Sequence, residues 1–210
     1  MSSGAAPRSA TVVLASASPR RRELLAAYGL EPVVRPVGVD ETARPGETPR
    51  DYVERLAVAK AEAAAADAWR AVVIGADTAV VLDGEIYGKP ASAADFRRMM
   101  GALGGRSHEV YTGVAVVHEG RSAVRTVVSR VRLRQLDERE MRQYWATGEP
   151  RDKAGGYAIQ GLGALFVSGL EGSYSGVVGL PLYETGELLA AAGVDLLALA
   201  APGGERESNG

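Results

Sequence analysis

The sequence contains no cysteine, which excludes a disulfide, a thiolate metal site and a cysteine nucleophile. Its only two histidines, His108 and His118, cannot build a closed zinc site, and we expect both to be cap or surface residues rather than catalysts. No apolar run approaches the length of a membrane helix, and residues 1–10 lack the apolar core of a signal peptide. These absences predict a cytoplasmic protein with no membrane partner.

The charges are nearly balanced, with 24 Lys and Arg against 26 Asp and Glu, so the chain lacks the basic excess typical of nucleic-acid-binding proteins. No stable nucleic-acid partner is therefore expected. The 210 residues are 46% apolar, which is typical of a folded globular protein. Strand and helix signals alternate without a repeat or a linker. They predict one α/β domain over residues 11–201, with a mixed twisted sheet flanked by helices, a deep cleft, and flexible ends at 1–10 and 202–210.

Local signals place the individual elements. Apolar or alternating runs predict strands at residues 11–15, 31–37, 71–76, 110–117, 123–134 and 164–167. Cap and proline signals predict helices that begin at Ser18, Thr48, Ser92, Asp137 and Pro181, the last of these being the final helix. A hairpin over residues 80–87 should turn on Asp83 and Gly84, because both central residues of a type I′ turn need positive φ.

A serine and arginine cluster lies at the first strand-to-helix turn, in the order Ser16-Ala17-Ser18-Pro19-Arg20-Arg21-Arg22. The start of a helix offers unpaired N–H groups, and arginine side chains match the geometry of phosphate. Successive arginines at the positive end of a helix are unfavourable unless an anion binds there. This pattern favours a polyphosphate site, and an ordinary serine cap with solvated arginines remains the alternative.

Two acidic positions follow predicted strands. Asp40 and Glu41 come after the second strand, where they either solvate a loop or hold a hard divalent cation through oxygen ligands. Asp77 and Thr78 follow the buried run 71–76, at the strand end where open α/β sheets place their ligands. A helix cap or a turn cap is the alternative for Asp77, and the continuing strand signal weakens that alternative.

Two lysines and a glutamine complete the candidates. Lys89 follows Gly88, but the phosphate-loop motif fails because Pro90 replaces its Ser or Thr; Lys89 can still contact phosphate as a point charge. Lys60 is either a second such charge or a surface lysine on an alanine-rich helix. Gln160 lies in the glycine-rich run 152–161, where its amide could recognise the edge of a base or simply lie on a tight turn.

Together these stretches resemble the Maf family of nucleoside triphosphate pyrophosphatases. The resemblance runs in family order from about residue 12 to 190. Its blocks are Leu14-Ala15-Ser16-Ala17-Ser18-Pro19-Arg20-Arg21, Val39-Asp40-Glu41-Thr42, Ala57-Val58-Ala59-Lys60-Ala61, Gly75-Ala76-Asp77-Thr78, Gly88-Lys89-Pro90, His108-Glu109-Val110-Tyr111-Thr112-Gly113, the run 152–161, and Gly172-Ser173-Tyr174-Ser175 with Val178-Gly179-Leu180-Pro181.

The resemblance implies a Maf/ITPase-like fold, hydrolysis of a nucleoside triphosphate to the monophosphate and pyrophosphate, a divalent cation such as Mg²⁺ or Mn²⁺, and a homodimer. It implies that Asp77 is the proton acceptor. It assigns base selection to Arg20, Thr78 and Gln160, and other cleft positions to Ser16, Arg21, Glu41, Lys60 and Lys89. We expect Glu41 and Asp77 to hold the metal. The run 152–161 looks like the branch of the family that acts on dTTP and UTP.

Two alternatives stay open at this point. A pyrophosphatase of the same fold could act on damaged purines such as ITP. A regulator of cell division, a role associated with the family, could bind nucleotide without turnover. A plain nucleotide-binding module is disfavoured because the sequence contains neither a Walker loop nor G-x-G-x-x-G.

Overall fold

A computed structural model describes residues 11–200. The predicted flexible ends, 1–10 and 202–210, lie outside the described residues. The strands are β1 (Val12–Leu14), β2 (Val33–Val34), β3 (Val72–Leu82), β4 (Glu85–Tyr87), β5 (Ser107–His118), β6 (Arg121–Leu133) and β7 (Val167–Glu171). They form a seven-stranded sheet in the order β2-β1-β3-β5-β6-β7, with β4 paired to β3. β1 runs parallel to β2 and β3 and the other pairs are antiparallel, which confirms the predicted mixed sheet.

Helices cover both faces of this sheet, as predicted. They are α1 (Pro19–Ala26), α2 (Pro49–Ala65), α3 (Ala93–Leu103), α4 (Glu138–Ala146), α5 (Tyr174–Val178), α6 (Leu182–Ala191) and α7 (Leu196–Ala200). Short 3₁₀ turns at Glu149–Asp152, Ala154–Gly156 and Leu162–Phe166 connect α4 to β7. No helix within residues 11–200 combines the length and the apolar character needed to cross a bilayer.

Side chains of β3 alternate between the two faces, and this alternation positions the site. Val73 packs into the cluster under α2, whereas Ile74 packs into the cluster under α1 and α6. Because successive strand residues point to opposite faces, Asp77 lies on the α2 side and Thr78 on the α1 side. β3 therefore presents two neighbouring candidate site residues, Asp77 and Thr78, on opposite faces of the sheet.

The structure confirms most of the helix starts and turns that the local signals predict. The hydroxyl of Thr48 accepts the Asp51 N–H, the hydroxyl of Ser92 accepts the Asp95 N–H, and Asp137 forms a full capping box with Glu140. The predicted hairpin turns on Asp83 (φ 52°) and Gly84 (φ 82°). Ser18 occupies the N-cap position of α1 but its side chain makes no cap hydrogen bond.

Two predicted strand boundaries and the predicted final helix are wrong. The second strand has only two residues because Val33 and Val34 pair at the sheet edge with a β1 of three residues. The run 164–167 is mostly a 3₁₀ turn, and β7 begins only at Val167, where pairing with β6 starts. The helix after Pro181 is not the final helix, because α7 follows it. In α7 Leu196 is partly buried whereas Leu197 and Leu199 are exposed, so the segment lacks a clear buried-face pattern.

His108 is not a cap or surface residue. His108 is 2% exposed. Because β5 already begins at Ser107, His108 lies within the strand, opposite Val131 of β6, and its side chain is on the inward face. Its Nε2 lies 2.7 Å from the Tyr157 hydroxyl, and burial lowers the pKa of His108 to about 4. His118 is half-buried at the other end of β5, with Nδ1 3.3 Å from the carbonyl of Ala71.

Gly75 allows α2 to lie directly against β3. A Cβ atom at this position would collide with the carbonyl oxygen of Ala57 and would lie 2.7 Å from the amide nitrogen of Ala61. Both contacts are backbone atoms of α2, so neither can move away as a flexible side chain can. The close approach brings Lys60, which lies between those two residues, within reach of Asp77.

We predict that Gly75→Ala lowers the free energy of unfolding by about 1–3 kcal/mol, because overpacking forces α2 away from β3. Gly101→Ala is the matched control. Gly101 lies in α3, and a Cβ atom added there would meet no neighbouring atom within 4 Å, so this change should instead add about 0.5–1 kcal/mol. Urea denaturation of both variants measures the difference, and a Gly75→Ala protein as stable as the wild type would contradict the close-packing argument.

Candidate active site

The predicted site residues lie around one cavity of about 520 Å³. Its wall is formed by the β1–α1 turn, the loop before α2, the middle of β3, the segment after β4 and the glycine-rich run after α4. The lining includes all nine positions that the resemblance assigned to the cleft, namely Ser16, Arg20, Arg21, Glu41, Lys60, Asp77, Thr78, Lys89 and Gln160.

Lys60 joins two carboxylates at the inner end of this cavity. Its Nζ lies 2.7 Å from Asp77 Oδ1 and 2.6 Å from Glu41 Oε1. Lys60 and Asp77 are each 9% exposed, so Lys60 is not the surface lysine that its alanine-rich helix allowed. Glu41 is more open, with 55% of its side chain exposed. The ammonium group thus compensates one buried and one exposed carboxylate.

Burial and charge act in opposite directions on Asp77. Burial raises the pKa of Asp77 above its ordinary value, although Lys60 and Arg21 both act to lower it. The hydrogen bond from Lys60 lowers the pKa of Glu41. Glu41 is less buried than Asp77, so burial does less to raise its pKa. Of the two carboxylates, Asp77 is therefore the more basic and the better proton acceptor.

Arg21 is held by three oxygens, two of them from distant parts of the chain. Its Nε donates to the carbonyl of Gly179 at 2.8 Å and its NH1 group donates to Ser16 Oγ at 2.9 Å. Its NH2 group donates to Thr78 Oγ1 at 3.4 Å, and Thr112 supports the same hydroxyl from β5 at 3.2 Å. Burial lowers the pKa of Arg21, while the charge of Asp77 works to raise it. The guanidinium is a fixed positive charge in the wall.

The first turn of α1 presents unpaired donors in the wall of the same cavity. The first N–H groups of a helix have no partner within it, and the Ser18 side chain does not cap them. The Ser18 N–H itself donates to Ser16 Oγ at 3.2 Å. Arg20 NH1 lies 3.5 Å from Asp152, an ion pair that leaves its other donors available. These groups suit an anion.

Lys89 and Gln160 lie at the rim. Both are exposed, and neither side chain makes a hydrogen bond or an ion pair within residues 11–200. A backbone hydrogen bond joins the segment that carries Lys89 to the one that carries Gln160, because the Gly155 N–H donates to the carbonyl of Gly88 at 3.0 Å. The rim side chains are thus free to contact a ligand while their backbone is fixed.

Sequence reasoning missed the residues that hold the Glu41 loop. Arg55 forms a bidentate pair with Glu47, at 2.6 and 2.8 Å, and donates to the carbonyls of Asp40 and Thr42. The Tyr52 hydroxyl donates to the carbonyl of Glu41 at 3.0 Å. These residues of α2 fit an ordinary amphipathic helix pattern, and nothing in the sequence indicated that they bind a loop that precedes the helix.

The oxygen donors suit a hard divalent cation that arrives with its ligand. Within residues 11–200, Asp77 Oδ2 and Glu41 Oε2 receive no hydrogen bond, and both carboxylates face the cavity. No group of three or more acidic, histidine or cysteine side chains suitable for a metal occurs in the described part of the chain. Mg²⁺ is commonly held by one or two carboxylates together with phosphate oxygens and water, and the pair fits that arrangement.

A buried basic carboxylate in a cavity walled by arginine, lysine and free helix N–H groups is typical of proteins that bind and cleave phosphate anhydrides. The family model described as "Maf-like protein" matches residues 11–192, and the chain belongs to this family. A protein from Cereibacter sphaeroides named "dTTP/UTP pyrophosphatase" is 53% identical over 192 residues, covering 91% of this chain and all of that protein.

A second protein of the same name, from an Anaeromyxobacter species, is 53% identical over 204 residues, covering 95% of this chain and 97% of its own length. Among solved structures, a HAM1 protein from Coxiella burnetii aligns with a TM-score of 0.45 and 18% identity. That alignment covers 60% of this chain and 74% of the other.

We predict that Lys60→Met raises the pKa of Asp77 further, because it removes the ammonium that favours the ionised carboxylate while burial remains. Carboxyl-carbon NMR titration of Asp77 in the wild type and the variant measures the shift. Lys153→Met is the control, since it removes a cation that pairs with Asp152 and leaves Asp77 untouched. An unchanged or lowered pKa of Asp77 in Lys60→Met would contradict the assigned role of Lys60.

Proposed function

We propose that this chain hydrolyses nucleoside triphosphates at the α–β phosphoanhydride, releasing the monophosphate and pyrophosphate, with dTTP and UTP as substrates. The observation that carries the proposal is Asp77, a buried carboxylate of raised pKa held beside Lys60 in a cavity with a cationic wall. The names of the two relatives support the same activity and the same bases.

The wall is suited to a triphosphate. Arg20 and Lys89 have donors free to contact phosphate oxygens, and the first-turn N–H groups of α1 offer a second anion site. Arg21 and Lys60 are held by protein partners, so they contribute charge and keep the wall rigid. Fixed donors of this kind stabilise developing charge without reorganising during the reaction.

In the proposed reaction a water oxygen attacks the α-phosphorus and gives its proton to Asp77 Oδ2. A new phosphorus–oxygen bond forms while the bond from the α-phosphorus to the bridging oxygen breaks. That oxygen leaves with pyrophosphate. Asp77 serves better as a base because burial raises its pKa, whereas Lys60 keeps the carboxylate ionised and therefore ready to accept the proton.

A divalent cation belongs to the same proposal. Glu41 would hold Mg²⁺ or Mn²⁺ through Oε2, which Lys60 does not contact, and Asp77 would hold it through an intervening water, so that Asp77 Oδ2 stays available to accept the proton. Phosphate oxygens would be further ligands. Bound there, the cation would supply charge neutralisation for the departing pyrophosphate. The residues fit this role as a pair that is completed by the substrate.

Recognition of the base is proposed to rest on Gln160, with Arg20 and Thr78. A glutamine amide can donate to a carbonyl of uracil or thymine and accept from its N3–H. Cytosine does not match, because its N3 is an acceptor. Thr78 already receives a hydrogen bond from Arg21. Thr78 would therefore influence base selection indirectly, by holding Arg21 in position.

Assembly and location stay predictions that rest on the sequence. We infer a homodimer from the resemblance and propose a cytoplasmic location. Light scattering of the purified chain and fractionation of cells that express it test the two separately.

We predict that the purified protein with Mg²⁺ releases pyrophosphate rather than orthophosphate, and does so from dTTP and UTP in a panel of common nucleotides, ITP and 7-methyl-GTP. Asp77→Asn should lower kcat by about 10²–10⁴-fold, the usual contribution of a general base. Asp83→Asn, at the exposed hairpin turn, is the matched control and should leave kcat unchanged. Release from ITP instead would favour the purine alternative, and no turnover of any nucleotide would favour binding without catalysis.

We also predict that kcat/KM is higher for UTP than for CTP and that Gln160→Ala reduces this preference. An unmatched polar edge costs about 1–3 kcal/mol, which corresponds to roughly 5- to 150-fold in discrimination. Gln143→Ala, an exposed glutamine on α4, is the control and should keep the wild-type ratio. Equal kcat/KM for CTP and UTP in the wild type would refute the assignment of Gln160.

A further inference from the structure

Residues 158–163, here called the Gln160 arc, are fixed at both ends by two side chains outside the cavity lining. At one end, the Ala158 N–H donates to the Tyr144 hydroxyl at 3.1 Å. At the other, the N–H groups of Leu162 and Gly163 each donate to the Glu149 carboxylate at 3.0 Å. Tyr144 and Glu149 are themselves joined by a hydrogen bond of 2.6 Å. Gln160 thus lies at the middle of a segment that one linked pair holds on both sides.

The arc is packed tightly against this pair at two glycines, Gly161 and Gly163. A Cβ atom at Gly161 would lie 2.7 Å from Glu149 Cδ and 2.8 Å from its Oε1. A Cβ atom at Gly163 would lie 2.7 Å from the Tyr144 hydroxyl and 2.7 Å from the carbonyl of Ala158. Contacts this close leave the backbone beside Gln160 little room to shift.

The pair is rigid and charged. Tyr144 is 3% exposed, and its ring packs edge-on against Phe96 and Phe166. Although partial burial works to raise the pKa of Glu149, the hydrogen bonds from Tyr144 and the two arc amides lower it overall. Glu149 is therefore ionised at neutral pH, and an ionised acceptor holds backbone N–H groups more strongly than a neutral one.

We propose that Glu149, acting with Tyr144, is the positioning residue for base selection, and that it fixes the backbone from which Gln160 presents its amide to the base. This inference rests on the proposed function. Neither residue lines the cavity. Glu149 would act by holding the arc, so its loss should affect discrimination between bases more than the bond-breaking step.

The variant Glu149→Gln tests the inference because it keeps the shape but places an NH2 group where three donors converge. We expect the kcat/KM ratio of UTP to CTP to fall by about tenfold, through KM of UTP with kcat nearly unchanged. Tyr144→Phe, which removes only the linking hydroxyl, should shift the ratio in the same direction and serves if Glu149→Gln does not fold. Glu140→Gln is the matched control, since Glu140 also accepts a backbone N–H but lies in the capping box of α4.

A double-mutant cycle separates positioning from general destabilisation. In a Gln160→Ala background the change Glu149→Gln should leave the ratio unaltered, because the residue through which it acts is gone. Independent, multiplicative effects of the two changes would overturn the inference, as would an unchanged ratio in both Glu149→Gln and Tyr144→Phe.

Calorimetric titration with UMP and CMP measures the preference for uracil over cytosine as a ratio of dissociation constants, without turnover. A wild-type protein that cleaves no triphosphate contradicts the proposed function, yet its preference for UMP still tests the positioning role. A wild-type protein that binds UMP and CMP equally overturns the inference even if it releases pyrophosphate from both triphosphates.

Discussion

The ion pair between Lys60 and Asp77 is the interaction on which the rest of the site depends. A buried carboxylate without a partner is costly, and removing one member of a buried pair leaves the other charge uncompensated. The pair forms only because Gly75 lets the backbone of α2 lie against β3. Lys60 then reaches outward to Glu41 as well, which ties the loop before α2 to the sheet. One close helix–strand contact thus sets the position of both carboxylates.

Around this pair the cavity combines a rigid inner wall with free groups at its rim. Arg21 is clamped by three oxygens, and the loop that carries Glu41 is held by Arg55, so the charges in the inner wall are fixed before a ligand arrives. Lys89 and Gln160 have no side-chain partners within the described residues, so they can contact a ligand. Fixed charge in the inner wall, with available donors at the rim, is the arrangement expected of a preorganised active site.

Much of this could be predicted from sequence because the signals are local. Caps, the Asp83-Gly84 turn and the short blocks of the cavity wall are each contained within a few residues, and all nine predicted site positions line one cavity. The partners that hold those blocks could not be predicted, because Glu149 meets Leu162, and Arg55 meets Asp40, only after folding. The prediction for His108 was wrong for the same reason, since its burial depends on where β5 begins and on the face it presents to Tyr157.

The most direct test of the account is hydrolysis of UTP in ¹⁸O-labelled water, with mass spectrometry of both products. Attack of water on the α-phosphorus, with Asp77 accepting the proton, predicts that the label appears in UMP and that pyrophosphate carries none. Label in pyrophosphate would place the attack on the β-phosphorus, and labelled orthophosphate would mean cleavage of the terminal anhydride. Either result would contradict the proposed arrangement of the triphosphate in the cavity and the role of Asp77.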